Sequence, residues 1–237
     1  MIPLKDTIPS RSFPFVNIFI IILNIFVFAY ELSLGRGLDR FILYYGVIPI
    51  KFYYLLATQP FGLFKIFFPF LSSVFLHGGW IHIIGNMLYL WIFGDNVEDR
   101  MGHIRYFVFY IICGVMAGFI HLYTNPTSGV PTIGASGAIA GVMGAYFILF
   151  PGARIITLVP IFFFFQVIEI PAFFFMGFWF LIQFFSGSLS LSSGGQNIGG
   201  VAWWAHIGGF VSGMILVFFF RKRKRNYRVY RDQFKPW

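Results

Sequence analysis

Apolar residues occur along this chain in six long runs, and the stretches between the runs carry most of the charged residues. A helix needs about 20 mostly apolar residues to cross a bilayer. The pattern therefore predicts six membrane-spanning helices, at about 14–33, 80–94, 104–123, 136–150, 168–185 and 203–220. The long connection at about 34–79 contains apolar pieces that are too short and interrupted to span, so we expect them to lie at the interface or fold back against the bundle. The apolar stretch "IITLVPIFFFFQ" before the fifth run is ambiguous.

Composition places the chain among membrane proteins. It is 58% hydrophobic and 11% charged, with a mean hydropathy of +0.79, whereas a soluble domain carries about 25% charged residues. So few charges cannot cover a water-facing surface. The predicted fold class is therefore an all-α, multi-pass membrane protein, built as a bundle of six transmembrane helices with a long first external loop.

Basic residues are concentrated in the C-terminal segment 221–237. This segment holds eight of the 17 Lys and Arg and one of the eight acids, so it carries +7 of the net charge of +9. A basic cluster directly after an apolar helix marks the cytoplasmic side and can bind anionic lipid headgroups. Nucleic acid is not expected as a partner, because no aromatic-interleaved folded domain accompanies the cluster.

The helix count and the basic tail together predict the topology. Six spans place both termini on one side, which the tail assigns to the cytoplasm, and we expect the cell membrane as the location. The first apolar run is far longer than the core of a signal peptide, so it is interpreted as a membrane helix. The predicted organisation is a cytoplasmic N-terminal segment (1–13), one membrane domain (14–220) and a basic cytoplasmic tail (221–237).

Polar residues gather at the outer ends of the second, fourth and sixth predicted helices. They are His77, His82, Asn86, Ser136 and His206. Each alone is more often structural, as a helix cap, a packing histidine or an amide that joins two helices. Ionisable residues inside a membrane usually mark function, however. Because three helices present such groups at one depth, we expect a functional site there.

Glycines indicate how the fourth and sixth helices meet. Gly137, Gly141 and Gly144 recur at helical spacing on the fourth helix, and Gly209 and Gly213 form a small-xxx-small pair on the sixth. Such faces allow helix backbones to approach closely in a bilayer. If these two faces meet, Ser136 and His206 also meet.

A serine beside a histidine suggests nucleophilic catalysis. His206 can take the Ser136 proton and later protonate a leaving amine. The Ser136 backbone N–H at a helix start, the Asn86 amide and a His82 ring N–H can stabilise the oxyanion that forms. The acids are predicted to lie away from His206, so the sequence predicts a Ser-His dyad rather than a triad.

Metal and cofactor chemistry is not expected. The chain has no H-E-x-x-H motif, and its five histidines have no pair at i, i+4 and no acid among them. The predicted dyad needs no cofactor.

These motifs resemble the rhomboid intramembrane serine proteases. The matches are G-x-S-G from Gly134 to Gly137, H-x-x-x-N from His82 to Asn86 with His77 ahead of it, and A-H-x-x-G from Ala205 to Gly209. Each motif is weak alone, but three of them on alternate helices in this order are highly specific. The resemblance covers about residues 15–220.

The resemblance implies a compact bundle with a water-accessible cavity open to the outer side. It implies Ser136 as nucleophile and His206 as general base. His82, Asn86 and the Ser136 amide would line the oxyanion hole. His77, Gly134, Gly137 and Gly209 would support the site.

The substrates implied by the resemblance are single-span membrane proteins, cut in or near their spans. In the family the fifth helix and the following loop, here about 186–202, are thought to admit the substrate. Its composition, rich in glycine and serine, fits a gate.

Two features of the sequence depart from the family pattern. Many members have an aromatic residue one turn after the serine, packed on the catalytic histidine, and this chain has Ala140 there. Many also carry a Trp-Arg pair in the first loop, which this chain lacks. The alternative function is a catalytically silent relative that binds membrane helices without cutting them; such members usually lack the serine or histidine, and both are present. A transporter is less favoured, because no interrupted helix pair or charged relay is visible.

Overall fold

The computed structural model describes residues 1–161, 164–192 and 201–222. Within these residues the helices are α1 (Phe15–Ser33), α2 (Leu38–Tyr45), α3 (Pro49–Thr58), α4 (Leu63–Ser72), α5 (Trp80–Met101), α6 (His103–Thr124), α7 (Ser136–Leu149), α8 (Ala172–Ser192) and α9 (Trp203–Phe220). The strands are β1 (Ile2–Asp6), β2 (Arg154–Ile161) and β3 (Phe164–Pro171). Most of the basic tail (223–237) and residues 193–200 of the predicted loop at 186–202 lie outside the described residues. Residues 186–192, predicted as the start of that loop, instead continue α8.

The predicted helical membrane bundle is confirmed. The six predicted spans correspond to α1, α5, α6, α7, α8 and α9. By length and apolar composition, α1, α6, α8 and α9 can each cross a bilayer; α4 and α5 would together make another span, bent by 79° at the break between them. At 14 residues, α7 is shorter than a full span.

Helix α7 occupies the centre of the bundle. Its ten residues from Gly137 to Tyr146 are all buried, and it packs against α5, α6 and α9. Because α7 is in contact with other helices on every side, it is apolar on every side and has no polar face for solvent. Its first residue, Ser136, is half-buried at one end of the bundle.

Helices α7 and α9 pack backbone to backbone, as the glycine pattern predicted. A Cβ atom added at Gly213 would lie only 2.6 Å from the carbonyl carbon of Gly141, and one at Gly209 would lie 2.9 Å from that of Gly137. No side chain fits between the two helices at these levels. This close approach brings the first turns of α7 and α9 together.

The first connection folds back against the bundle, as expected. It forms the short helices α2, α3 and α4, and Phe70 of α4 stacks on Phe119 of α6 with ring centroids 4.2 Å apart. Val47 and Thr132 form an antiparallel bridge, with N to O distances of 3.1 and 2.7 Å. The bridge and the stacked rings anchor a loop that lacks the family's Trp-Arg pair.

Three antiparallel strands in the order β1-β2-β3 cover the end of the bundle opposite to Ser136, which we call the sheet end. The sequence did not predict these strands. Strands β2 and β3 pair antiparallel, with Ile168 opposite Thr157 and Ile170 opposite Ile155. The prediction of a fifth helix from 168 was therefore wrong at its start: α8 begins at Ala172, because Ile170 precedes a proline, which disfavours helical backbone there.

The N-terminal segment is part of this folded body. Strand β1 pairs with β2, and the buried Asp6 carboxylate accepts hydrogen bonds from the Tyr146 hydroxyl and, at 2.9 Å, from Asn96 Nδ2. Burial raises the pKa of Asp6 above its usual value, because the charged form is poorly solvated there. The start of the chain is thus tied to α5 and α7.

Candidate active site

An open cavity of about 940 Å³ lies at the end of the bundle where α5, α7 and α9 begin, opposite the sheet end. Its walls include His82 and Asn86 of α5, Ser136 of α7 and His206 of α9. The structure therefore brings together the four polar residues that the sequence placed at one depth. The fifth, His77, is buried behind the cavity wall and contacts Asn86.

Ser136 and His206 form a hydrogen-bonded pair. The distance between Ser136 Oγ and His206 Nε2 is 2.8 Å. Each residue lies in the first turn of its helix, and the glycine faces of α7 and α9 set the spacing between them. This is the geometry in which an imidazole can take a proton from a hydroxyl.

A third residue, Gln183 of α8, contacts the other ring nitrogen of His206. The distance between His206 Nδ1 and Gln183 Oε1 is 2.7 Å. The amide oxygen can only accept, so Nδ1 carries the proton and donates it. In the neutral ring Nε2 then has a free lone pair, which accepts the hydrogen bond from the Ser136 hydroxyl.

Gln183 was not predicted from the sequence, because a third member of the site was expected to be an acidic residue. A signal was present: Gln183 is the only strongly polar side chain in the apolar stretch 172–185. A polar side chain in a membrane helix seeks a hydrogen-bond partner, since lipid offers none.

An aromatic ring packs beside His206, but it comes from α8 rather than α7. The Trp179 ring centroid lies 5.9 Å from that of His206, with 32° between the planes. Ala140, at the position where many family members have the aromatic, is buried on α7. Helix α8 thus supplies the aromatic contact that α7 lacks.

The hydrogen bonds around His82 aim a donor into the cavity. The Gly78 backbone N–H donates to His82 Nδ1 at 3.3 Å, so the neutral ring carries its proton on Nε2. Gly134 has a φ of +125°, and a Cβ atom there would lie 2.6 Å from His82 Nε2 and 3.6 Å from Ser136 Oγ. Only glycine fits between the two groups. The His82 N–H and the first N–H of α7, which has no partner within the helix, therefore border the same space as Ser136 Oγ.

Asn86 is held by a chain of hydrogen bonds from α1. Its Nδ2 donates to His77 Nε2 at 3.0 Å, and the His77 backbone N–H donates to the Glu31 carboxylate at 3.1 and 3.3 Å. Glu31 and His77 are both buried. The second N–H of the Asn86 amide remains for the cavity. Glu31 was not predicted as part of this arrangement.

The supporting glycines have separate structural roles. Gly134 makes room for His82, whereas Gly137 and Gly209 lie at the contact of α7 with α6 and α9; a Cβ atom on Gly137 would lie 2.6 Å from that of Ala117. Across the residues that the structure describes, no group of three or more His, Cys, Asp or Glu side chains is placed to hold a metal ion.

Comparison with known proteins identifies one family. The sequence model of the Rhomboid domain family matches residues 65–223. Among curated proteins, RHOMBOID-like protein 5 of Arabidopsis thaliana is 33% identical to this chain over the matched region. That region covers 32% of this chain and 24% of the length of the relative. The chloroplastic Rhomboid-like protein 11 of the same plant is 31% identical over 42% of this chain and 33% of its own. The mitochondrial Rhomboid protein 1 of Saccharomyces cerevisiae is 31% identical over 45% of this chain and 31% of its own. The matches thus span a quarter to a third of the relatives' length.

Proposed function

The chain belongs to the Rhomboid domain family, and on that premise we propose that it is an intramembrane serine endopeptidase. It hydrolyses peptide bonds in or near the transmembrane segment of single-span membrane proteins. The observation that carries this proposal is the 2.8 Å hydrogen bond between Ser136 Oγ and His206 Nε2, formed inside an open cavity.

Acylation begins when Ser136 Oγ attacks the carbonyl carbon of the scissile bond. His206 Nε2 accepts the hydroxyl proton as the new C–O bond forms, and the imidazole becomes a cation. The peptide C–N bond then breaks, and Nε2–H gives the proton to the leaving amine. Ser136 is left as an acyl ester.

Deacylation repeats the same steps with water. His206 Nε2 takes a proton from the water that attacks the ester carbonyl, and returns it to Ser136 Oγ as the ester bond breaks. The cavity is open, so water can enter it. Apart from this water, no group from outside the chain is required.

Both steps place negative charge on the substrate carbonyl oxygen. The Ser136 backbone N–H, the His82 Nε2–H and the second Asn86 N–H can donate to that oxygen. The Gly78 and His77 hydrogen bonds hold the two side chains before substrate arrives, and such preorganised donors stabilise the oxyanion without a reorganisation cost.

The membrane arrangement follows from the same proposal. The end of the bundle that holds the cavity faces outward, both termini and the sheet end face the cytoplasm, and the basic tail binds anionic headgroups of the cell membrane. The bundle buries its catalytic groups among apolar helices, which suits a substrate that is itself a membrane helix.

Removal of the serine tests the chemistry. Ser136→Ala and His206→Ala should each lower the cleavage rate of a model single-span substrate by about 10⁴-fold or more, the range seen when one member of a catalytic unit is removed. The double variant should be no worse than either single variant, since the two groups act as a unit. Ser33→Ala, which changes an exposed serine at the end of α1, is the matched control and should cleave as the wild type does.

Labelling with a fluorophosphonate gives an independent measurement. The wild type and Ser33→Ala should be labelled, and Ser136→Ala should not. Wild-type turnover by Ser136→Ala would exclude this mechanism. A folded wild type that binds the substrate helix but neither cleaves it nor reacts with the probe would instead identify a silent, helix-binding relative.

A further inference from the structure

We propose that Gln183 is a positioning residue for His206, so that α8 supplies the third member of a Ser136–His206–Gln183 arrangement. The inference rests on the proposed protease function and deepens it. It assigns to a neutral amide on a separate helix the task that a carboxylate performs in a catalytic triad.

The two hydrogen bonds of the His206 ring indicate that the Gln183 amide orients the imidazole. Gln183 Oε1 lies 2.7 Å from His206 Nδ1, and Ser136 Oγ lies 2.8 Å from His206 Nε2, so the imidazole is held from both sides. An oxygen at Nδ1 selects the tautomer whose Nε2 faces the serine with its lone pair. Without that acceptor, the ring is free to carry its proton on Nε2, where it cannot serve as the base.

The position of Gln183 argues against chance packing. The side chain is 6% exposed on a helix that otherwise presents mostly phenylalanine and leucine to the membrane. Trp179, one turn earlier on the same face, packs on the His206 ring. The carbonyl of Gly187, one turn later, accepts a hydrogen bond from Trp204 Nε1 at 3.2 Å. Three successive turns of α8 thus hold the first turn of α9.

The charge of the neighbourhood explains why an amide suits this site. Among the residues that the structure describes, the titratable groups near His206 are His82 from α5 and His121 from α6, besides the Ser136 hydroxyl from α7. None supplies a negative charge. The amide of Gln183 orients the imidazole without placing a charge in an apolar wall, where an unpaired ion would be costly. The contacts of Gln183 and Trp179 with His206 both come from α8. The two contacts therefore orient His206 only while α8 lies against α9.

The test removes the acceptor and then restores it. Gln183→Met keeps the length of the side chain and suits an apolar helix, but cannot accept from Nδ1–H. Gln183→Glu keeps an oxygen at the same place. Phe185→Leu changes a lipid-facing residue of the same helix and is the matched control. For each, kcat and KM are measured with the model substrate, together with the rate of fluorophosphonate labelling.

Gln183→Met should lower kcat and the labelling rate by about tenfold, the worth of one hydrogen bond, and leave KM unchanged. Gln183→Glu should recover most of both rates, and Phe185→Leu should match the wild type. A merely structural role would not lower labelling and kcat together at constant KM and then be rescued by glutamate.

Two results would overturn the inference while leaving the protease function intact. One is wild-type kcat and labelling in a folded Gln183→Met protein. The other is a folded Gln183→Glu protein as slow as Gln183→Met. Failure of the proposed function would look different, because the wild type itself would then neither cleave the substrate nor react with the probe. Gln183→Leu gives a second acceptor-free variant where Gln183→Met does not accumulate.

Discussion

Substitution of Gly213 by alanine should slow catalysis from a position two helical turns away from the active site. An added Cβ would lie 2.6 Å from the carbonyl carbon of Gly141 and 2.7 Å from its Cα, whereas ordinary contacts begin at 3.4 Å. The added Cβ would also overlap the carbonyl oxygen of Gly141, and all three neighbouring atoms are backbone, so α7 and α9 must separate by at least about 0.8 Å. The 2.8 Å hydrogen bond between Ser136 and His206 would then stretch beyond hydrogen-bonding distance.

The expected loss follows from this displacement. A misplacement of about 1 Å in reacting groups can cost 10²-fold in rate, so we expect Gly213→Ala to lower kcat by about 10- to 100-fold. Overpacking should also lower stability by about 1–3 kcal/mol. The rate of fluorophosphonate labelling should fall in parallel with kcat, because the defect lies in the Ser-His pair and not in substrate entry.

The control is Gly177→Ala on α8, where an added Cβ meets nothing within 4 Å. This variant should be as stable and as active as the wild type. Cleavage is measured in proteoliposomes, and thermal unfolding of each variant is followed in the same preparation. Wild-type kcat in a folded Gly213→Ala protein would refute the argument, because it would mean that the contact of α7 with α9 does not set the geometry of the site.

The remaining predictions concern water and metals. A cysteine at Ser136 in a Cys113→Ala background should react quickly with a small water-soluble thiol reagent, since Ser136 lines the open cavity; a cysteine at Val142, which is fully buried, should react far more slowly. Equal protection of both in a folded protein would mean that no water reaches the serine. Treatment with EDTA should leave cleavage unchanged, and a loss restored by zinc would contradict the metal-free mechanism.

The amino-acid sequence alone was sufficient to predict the membrane bundle. Runs of apolar residues report directly on which segments can enter lipid, because each helix satisfies its own backbone hydrogen bonds and needs no partner to do so. The glycines at 137, 141, 209 and 213 likewise predicted a close contact of α7 with α9, since helical spacing places them on one face of each helix. That contact placed Ser136 beside His206.

Strands were harder to predict than helices. Strand β1 pairs with β2, which follows it by about 150 residues, and no local pattern reports on a partner so distant. The residues around Ile168 are apolar enough to extend α8, so hydropathy alone did not separate strand β3 from the helix. Pairing with β2 and the proline at position 171 decided the outcome.

Only the tertiary structure revealed how the catalytic groups are held. Gln183, Trp179 and Glu31 lie on α8 and α1, far in sequence from the residues they support. A motif records the chemistry of the reacting side chains, because that chemistry restricts the residue type and its spacing. The choice of tautomer depends instead on which neighbour meets the other ring nitrogen, and that neighbour is determined by how separate helices pack.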